Sequence, residues 1–259
     1  MMKIGVGNFS LQHTLDSGQF FRYEKRGDWY YCQERDKQFK IRQKGNSLEF
    51  KGTDKKHVKR LFGLNQDYNT IIKELSKDKT LHPAITKYKG LRVMERDPWE
   101  TMVSFHCSIF SNIKKIKLNM KYLVQEFGKN GKFPKPGELN DLQKIKKCAT
   151  GFRARYIHGA NSMVNDKYFE KLRKKSYSDA KNKLMELPGV GEKVADCICL
   201  FSLGKMEAFP VDVWIERIMT RLYFKKKTKV RGIREFADKR WGKNAGYAQQ
   251  FLYHWGRLQ

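Results

Sequence analysis

Residues Leu187–Cys197 read "LPGVGEKVADC". A proline and two glycines bracket Val190, and Lys193 stands two residues past the second glycine. Upstream, "SYSDAKNKLMEL" has helical spacing and ends near Leu187; downstream, "EKVADCICLF" opens an apolar helix. The stretch therefore predicts helix, tight turn, helix. Glycine lets the backbone of such a turn approach another chain without a side chain in the way. Amides at the start of the second helix point outward and favour phosphate. Val190 is placed to pack between the two helices. Glycines also cap ordinary helical hairpins, but Leu-Pro-Gly-Val-Gly ahead of a strong helix is a narrower pattern than a lone glycine pair.

The rest of the composition fits a phosphate-rich partner. The chain has 259 residues, enough for a sizeable core and more than one lobe. Lys and Arg number 54 against 27 Asp and Glu, a formal charge of +27, with a pI near 9.9. Such a charge favours a polyanion through counterion release. Hydrophobic residues at 40% and aromatics at 13% exclude a disordered polycation. Cys32, Cys107, Cys148, Cys197 and Cys199 are scattered and odd in number, which reads as reduced thiols of an intracellular protein. No Cys-x-x-Cys pair and no zinc-ligand histidine spacing occurs, so neither zinc nor an iron–sulfur cluster is expected. No apolar run reaches membrane-spanning length, and "MMKIGVGNFS" lacks a secretory signal's apolar stretch.

Along the chain, residues 9–52 read as a β-rich lobe: "QFFRYE", "WYYCQE", "QFKIRQ" and "SLEFKG" are separated by turn-like clusters. Helical spacing begins near Asp54. Asp97 before Pro98 in "RDPWETMVSFHCSIF" fits an N-cap followed by proline at the first helical position. The main boundary is placed there, giving a lobe over 1–96 and a helical region over 97–259, with the hairpin at about 180–203. The basic run "KKKTKVRG" (225–232) resembles a nuclear-localisation run, and reads equally as a solvated loop or a backbone contact.

Lys193 is the candidate for chemistry, and Asp212 reads first as a helix cap. A lysine amine is a nucleophile only when neutral, and a first helical turn beside an apolar wall favours that form. A neutral amine there suits nucleophilic attack. Asp212, just before "VWIERIMTRLYF", is placed to cap a helix and to present a carboxylate. Cys197 shares a helix face with Lys193, four residues on; Cys199 is rotated away. In "AGYAQQFLYHW", Gln249 and Tyr253 also share a face, as an amide beside a ring, though core packing would give such a helix too.

The hairpin, with "PVDVW" (Pro210 to Trp214) after it, resembles the helix-hairpin-helix motif and the following aspartate loop of the base-excision DNA glycosylases. Within that superfamily the wording "LPGVG-KVADCICL" is similar to the 8-oxoguanine DNA glycosylases, most closely over 97–113, 151–157, 187–214 and 241–253. The resemblance implies an α+β fold: an N-terminal antiparallel sheet lobe, then two mainly helical lobes with duplex DNA crossing between them. It implies a bifunctional glycosylase and AP lyase working through a lysine Schiff base in base excision repair. The implied partner is double-stranded DNA containing 8-oxoguanine, and the implied state a monomer in the cytoplasm or nucleoid of a prokaryote or the nucleus of a eukaryote.

By the same resemblance Lys193 is the nucleophile and Asp212 supports the developing oxocarbenium charge. Gln249 reads the flipped base, Tyr253 stacks on it with Cys197 on its other face, and the Gly18 carbonyl in "DSGQFFRY" accepts the hydrogen that only oxidised guanine carries on that ring nitrogen. Gly189, Val190 and Gly191 grip phosphate. Carbonyls of Met185, Leu187 and Val190 match a structural monovalent or calcium site; no catalytic metal is implied. In "GFRARYIHGA", Phe152 is a wedge and Arg153 meets the partner base. The pattern departs at "CSIFSNIKK", where Phe110 replaces a gap-filling asparagine and Lys115 an arginine that reads cytosine, and at Trp214, where a phosphate-contacting histidine is common. Phenylalanine cannot hydrogen-bond and lysine lacks the planar fork, so weak discrimination of the opposite base is expected. The competing readings are a glycosylase for another damaged base, and a non-catalytic hairpin module that only grips DNA. The endonuclease-III-like and adenine-removing branches usually carry a four-cysteine cluster, which this chain lacks.

Overall fold

The computed structural model describes residues 1–258. Five strands, β1 (Met2–Gly5), β2 (Tyr23–Arg26), β3 (Trp29–Glu34), β4 (Lys37–Lys44) and β5 (Ser47–Lys51), form one antiparallel sheet in the order β1-β5-β4-β3-β2. Alternation along the strands turns Tyr30, Cys32, Phe39, Ile41, Leu48 and Phe50 inward. They pack on α1 (Leu11–Asp16) and α2 (Lys55–Leu61), whose Leu11, Leu15, Val58 and Leu61 complete a small core.

Two details differ from the expectation. Gln19, Phe20 and Phe21 are not strand; Gln19 is a buried brace, and pairing starts only at Tyr23. The edge strand β1, pairing Met2 with Phe50, lies before the β-rich stretch expected over residues 9–52.

Twelve further helices follow: α3 (Tyr68–Leu75), α4 (His82–Lys87), α5 (Pro98–Cys107), α6 (Ile113–Phe127), α7 (Leu142–Ile145), α8 (Ala154–Asn161), α9 (Asp166–Arg173), α10 (Tyr177–Met185), α11 (Glu192–Ser202), α12 (Val213–Met219), α13 (Val230–Trp241) and α14 (Ala245–Arg257). No helix among the described residues is long and apolar enough to cross a membrane. The Asp97 carboxylate accepts Glu100 N at 2.8 Å, capping α5, and Pro98 occupies its first turn. Residues 99–107 of α5 and 194–202 of α11 are buried on every side, as befits helices at the centre of a core.

The cores do not divide at residue 97. Tyr68, Leu81, Ile85, Tyr88 and Val93 join the larger helical core, and Tyr88 lies 4.3 Å from His254 of α14, ring to ring. α4 packs against α14, some 160 residues away in sequence, and Tyr68 of α3 lies 6.0 Å from Tyr247, ring to ring; spacing cannot reveal either contact. Across the seam between cores, Arg22 pairs with Glu100 at 3.1 Å and Arg35 with Asp97 at 2.9 Å.

Candidate active site

A cleft of about 1060 Å³ opens where the Gly18 turn, the end of α5, the hairpin, residues 210–214 and α14 converge. Its floor is built by α10, the turn at 187–191, and α11. Leu187 and Val190 are buried, and Val190 N donates to Leu187 O at 3.1 Å, which closes the turn. The buried His106 ring donates through Nε2 to Pro188 O at 3.0 Å, and burial pulls its pKa down to about 4.

The two hairpin glycines serve different ends. Gly189 has φ +73°, and a Cβ there would lie 2.3 Å from Cγ of Tyr156, so the turn is moulded onto that ring. Gly191 has an ordinary φ of −84° and open space where a Cβ would be. It is the N-cap of α11 and offers no capping side chain, so the first-turn amides remain available to an anion. The Met185, Leu187 and Val190 carbonyls are neutral oxygen donors, the type that suits calcium or an alkali cation. Leu187 O keeps a second lone pair beside its bond to Val190. Among the described residues, no three His, Cys, Asp or Glu side chains gather where they could hold a metal.

Lys193 lies half-buried in the first turn of α11 and lines the cleft. Its Nζ donates to Ser108 Oγ at 2.9 Å and sits 5.0 Å from the Phe105 ring centre. Asp212 lines the same cleft and caps α12, its Oδ1 accepting Trp214 N at 3.0 Å and Ile215 N at 2.9 Å. Both bonds fall on one oxygen, which leaves Oδ2 uncommitted to the cap. Cys197, 2% exposed, lines the cleft beside Lys193; burial pushes its thiol up to about 12, so it is neutral there.

Opposite stands the slot that would take a base. Gly18 has φ +78°, and a Cβ on it would lie 2.8 Å from Cε1 of Tyr253. Gln249 is 4% exposed; its Nε2 donates to Pro210 O at 3.2 Å, while its buried Oε1 has no partner. An orphaned buried acceptor costs free energy unless a ligand supplies the donor.

The Gly18 turn is held by groups that sequence reasoning missed. Gln250 Nε2 donates to Ser17 O at 2.8 Å, and Arg257 Nη2 donates to Asp16 O at 2.6 Å. Gln19 Nε2 donates to Ser17 Oγ at 2.9 Å and to Arg92 O at 2.7 Å. The adjacent amides in "AQQF" were the one available signal for Gln250; nothing local marks the others.

At the cleft rim, Phe110 is 93% exposed with φ +46°, a rare conformation for a bulky residue. Arg153 explains how it is held: Nε donates to Ile109 O at 2.7 Å, Nη2 to Phe110 O at 2.8 Å and Nη1 to Thr150 O at 3.2 Å. Arg153, expected to meet a partner base, turns its donors to these three carbonyls. Its guanidinium is committed to the turn that presents Phe110, and the residue is 8% exposed. Phe152 projects at 44% exposure and packs edge-on against Tyr156. Lys114 lines the cleft while Lys115, expected at the partner base, lies outside that lining, its backbone N donating to the Asn112 side chain that caps α6 at 3.0 Å. Trp214 stands on the rim, 38% exposed, with Arg217 over its ring at 5.5 Å.

A sheet lobe joined to a helical body, with a lysine-bearing hairpin at a cleft shared with Gly18, Gln249 and Tyr253, defines the helix-hairpin-helix glycosylase class. The sequence of residues 1–102 matches the 8-oxoguanine DNA glycosylase N-terminal domain. MBOgg1, solved in complex with a low-affinity DNA ligand, is similar over 99% of this chain and 95% of its own, at 36% identity and a TM-score of 0.93. The Clostridium acetobutylicum 8-oxoguanine glycosylase/lyase, in complex with dsDNA containing cytosine opposite 8-oxoG, is similar over 100% of this chain and 98% of its own, at 28% identity and a TM-score of 0.91. A probable N-glycosylase/DNA lyase of Methanothermobacter thermautotrophicus is 29% identical over 99% of this chain and 96% of its own. The chain belongs to the 8-oxoguanine DNA glycosylase family.

Proposed function

We propose that this chain is a bifunctional DNA glycosylase and AP lyase that flips 8-oxoguanine out of duplex DNA and excises it. The observation that carries the reading is the meeting, in one cleft, of the Lys193 amine with the slot formed by Gly18, Gln249 and Tyr253. A base inside a duplex cannot reach an amine set in this cleft, so it must leave the stack first. Tyr253 and Cys197 would flank the extruded base, and the unpaired Gln249 Oε1 would accept from its N–H edge. The Gly18 carbonyl would accept the N7–H that guanine lacks. Lys193 then attacks C1′; the new C–N bond forms as the glycosidic bond breaks and its electrons leave with the base. Asp212 Oδ2 would stabilise the positive charge on the sugar. Ring opening gives the imine, and loss of a C2′ proton expels the 3′ phosphate.

The hairpin amides and Gly191 would hold the phosphate backbone, and a structural cation on the Met185, Leu187 and Val190 carbonyls would reinforce that grip. Phe110 would fill the gap left by the base. A hydrocarbon ring discriminates little among partner bases, so excision opposite all four bases is expected. The enzyme would act as a monomer inside the cell, where its substrate is.

The test is borohydride trapping on duplexes with one 8-oxoguanine opposite each base, with Lys193→Gln alongside. An adduct in the parent and none in the variant is the expected result, with similar yields opposite the four bases. Tight DNA binding without any adduct would instead favour a hairpin module that only grips DNA.

A further inference from the structure

One polar side chain touches the Lys193 amine directly and has no part in the scheme above. Ser108 Oγ accepts from Lys193 Nζ at 2.9 Å and donates its own proton to the Phe105 carbonyl at 2.7 Å. A hydroxyl carries one proton. With that proton committed to Phe105, Ser108 can offer the amine only a lone pair. Neither partner rides on a loose segment: Ser108 is the C-cap of α5, and Lys193 belongs to α11, the two helices buried at the centre of the core.

We propose that Ser108 is a positioning residue for the lysine nucleophile. It takes one N–H of Lys193 and so directs the amine lone pair toward the anomeric carbon of the flipped nucleotide. The proposal rests on the glycosylase/lyase reading. A carboxylate in the place of Ser108 would hold the amine as an ammonium ion, which has no lone pair to donate. An apolar residue would leave Nζ to the Cys197 thiol, solvent, Asp212 and the Phe105 face. Serine fixes direction without adding a countercharge, and leaves Asp212 Oδ2 for the sugar. Ser108 does not relay the proton released after attack, because its own proton stays on Phe105 O.

The experiment compares the parent, Ser108→Ala and Ser108→Thr in single-turnover excision and borohydride trapping on an 8-oxoguanine duplex. Affinity for a duplex carrying a tetrahydrofuran abasic analogue is measured beside them. The Ala variant is expected to bind the analogue like the parent, yet excise and trap roughly 10- to 100-fold more slowly, the scale of a misplaced reacting group. Thr, which restores the hydroxyl, should be faster than Ala. An Ala variant as fast as the parent, one that loses DNA affinity in step with its rate, or a Thr variant no faster than Ala would overturn the proposal. A parent enzyme that forms no adduct would defeat the glycosylase reading itself, a result distinct from an active parent with an indifferent Ser108.

Discussion

A missing side chain decides how the base slot is shaped. Gly18 combines φ +78° with a Cβ position 2.8 Å from Cε1 of Tyr253, so an alanine there suffers both backbone strain and collision. Strain of this kind costs about 1 kcal/mol or more, and the collision displaces the ring on which the base would stack. Gly18→Ala should keep the fold, lower the melting temperature by a few degrees, and cut 8-oxoguanine excision at least ~10-fold. Single-turnover rates and thermal melts of the same preparations check both. Lys193 could be singled out in the sequence because its setting is local: glycine turn, helix start, apolar run. Arg153 could not, since its three carbonyl partners belong to Ile109, Phe110 and Thr150, and two of them lie more than 40 residues away.

Within the hairpin, the same change at the two glycines should differ in its effect on stability. Gly189→Ala meets the Tyr156 ring at 2.3 Å and a φ of +73°, so it should destabilise the protein by roughly 1–3 kcal/mol and weaken DNA binding as the turn deforms. Gly191→Ala meets nothing. It should melt like the parent but bind an abasic-analogue duplex more weakly, because a methyl then stands where a phosphate would approach the α11 amides. Melting curves and binding isotherms for both variants separate the roles; equal melting losses would contradict this assignment. At this scale the helix-turn-helix was legible in residues 187–197, whereas the tether from His106 to Pro188 was not.

For the molecule as a whole, acid should loosen the core that carries the hairpin. His106 has a folded pKa of about 4 against an ordinary 6.5 because it is buried. Between those values the unfolded chain binds a proton that the folded chain refuses, so stability falls as pH drops through 6.5 and the loss is complete near 4. The full effect is on the order of 3 kcal/mol. His254, also drawn down to about 4 by burial, adds in the same direction. Asp97 opposes them: its carboxyl, raised to about 6 by burial, favours the folded state as pH falls through 6. Comparing His106→Gln with the parent isolates one contribution. The variant's urea midpoint should fall less between pH 7 and pH 5; an identical fall would refute the assignment.

The sequence by itself determined the class of fold, the hairpin and the lysine. These depend on patterns within a dozen residues: alternation in the strands, helical spacing, glycine turns and caps such as Asp97 and Asp212. Only the tertiary structure decided which residues face one another. It put α3 and α4 in the larger core, gave Arg153 to the Phe110 turn, turned Lys114 rather than Lys115 into the cleft, and set Ser108 against Lys193. The physical reason is that secondary structure is fixed by local backbone sterics and apolar spacing, whereas a hydrogen bond across 85 residues exists only once the buried helices that carry its two ends have packed.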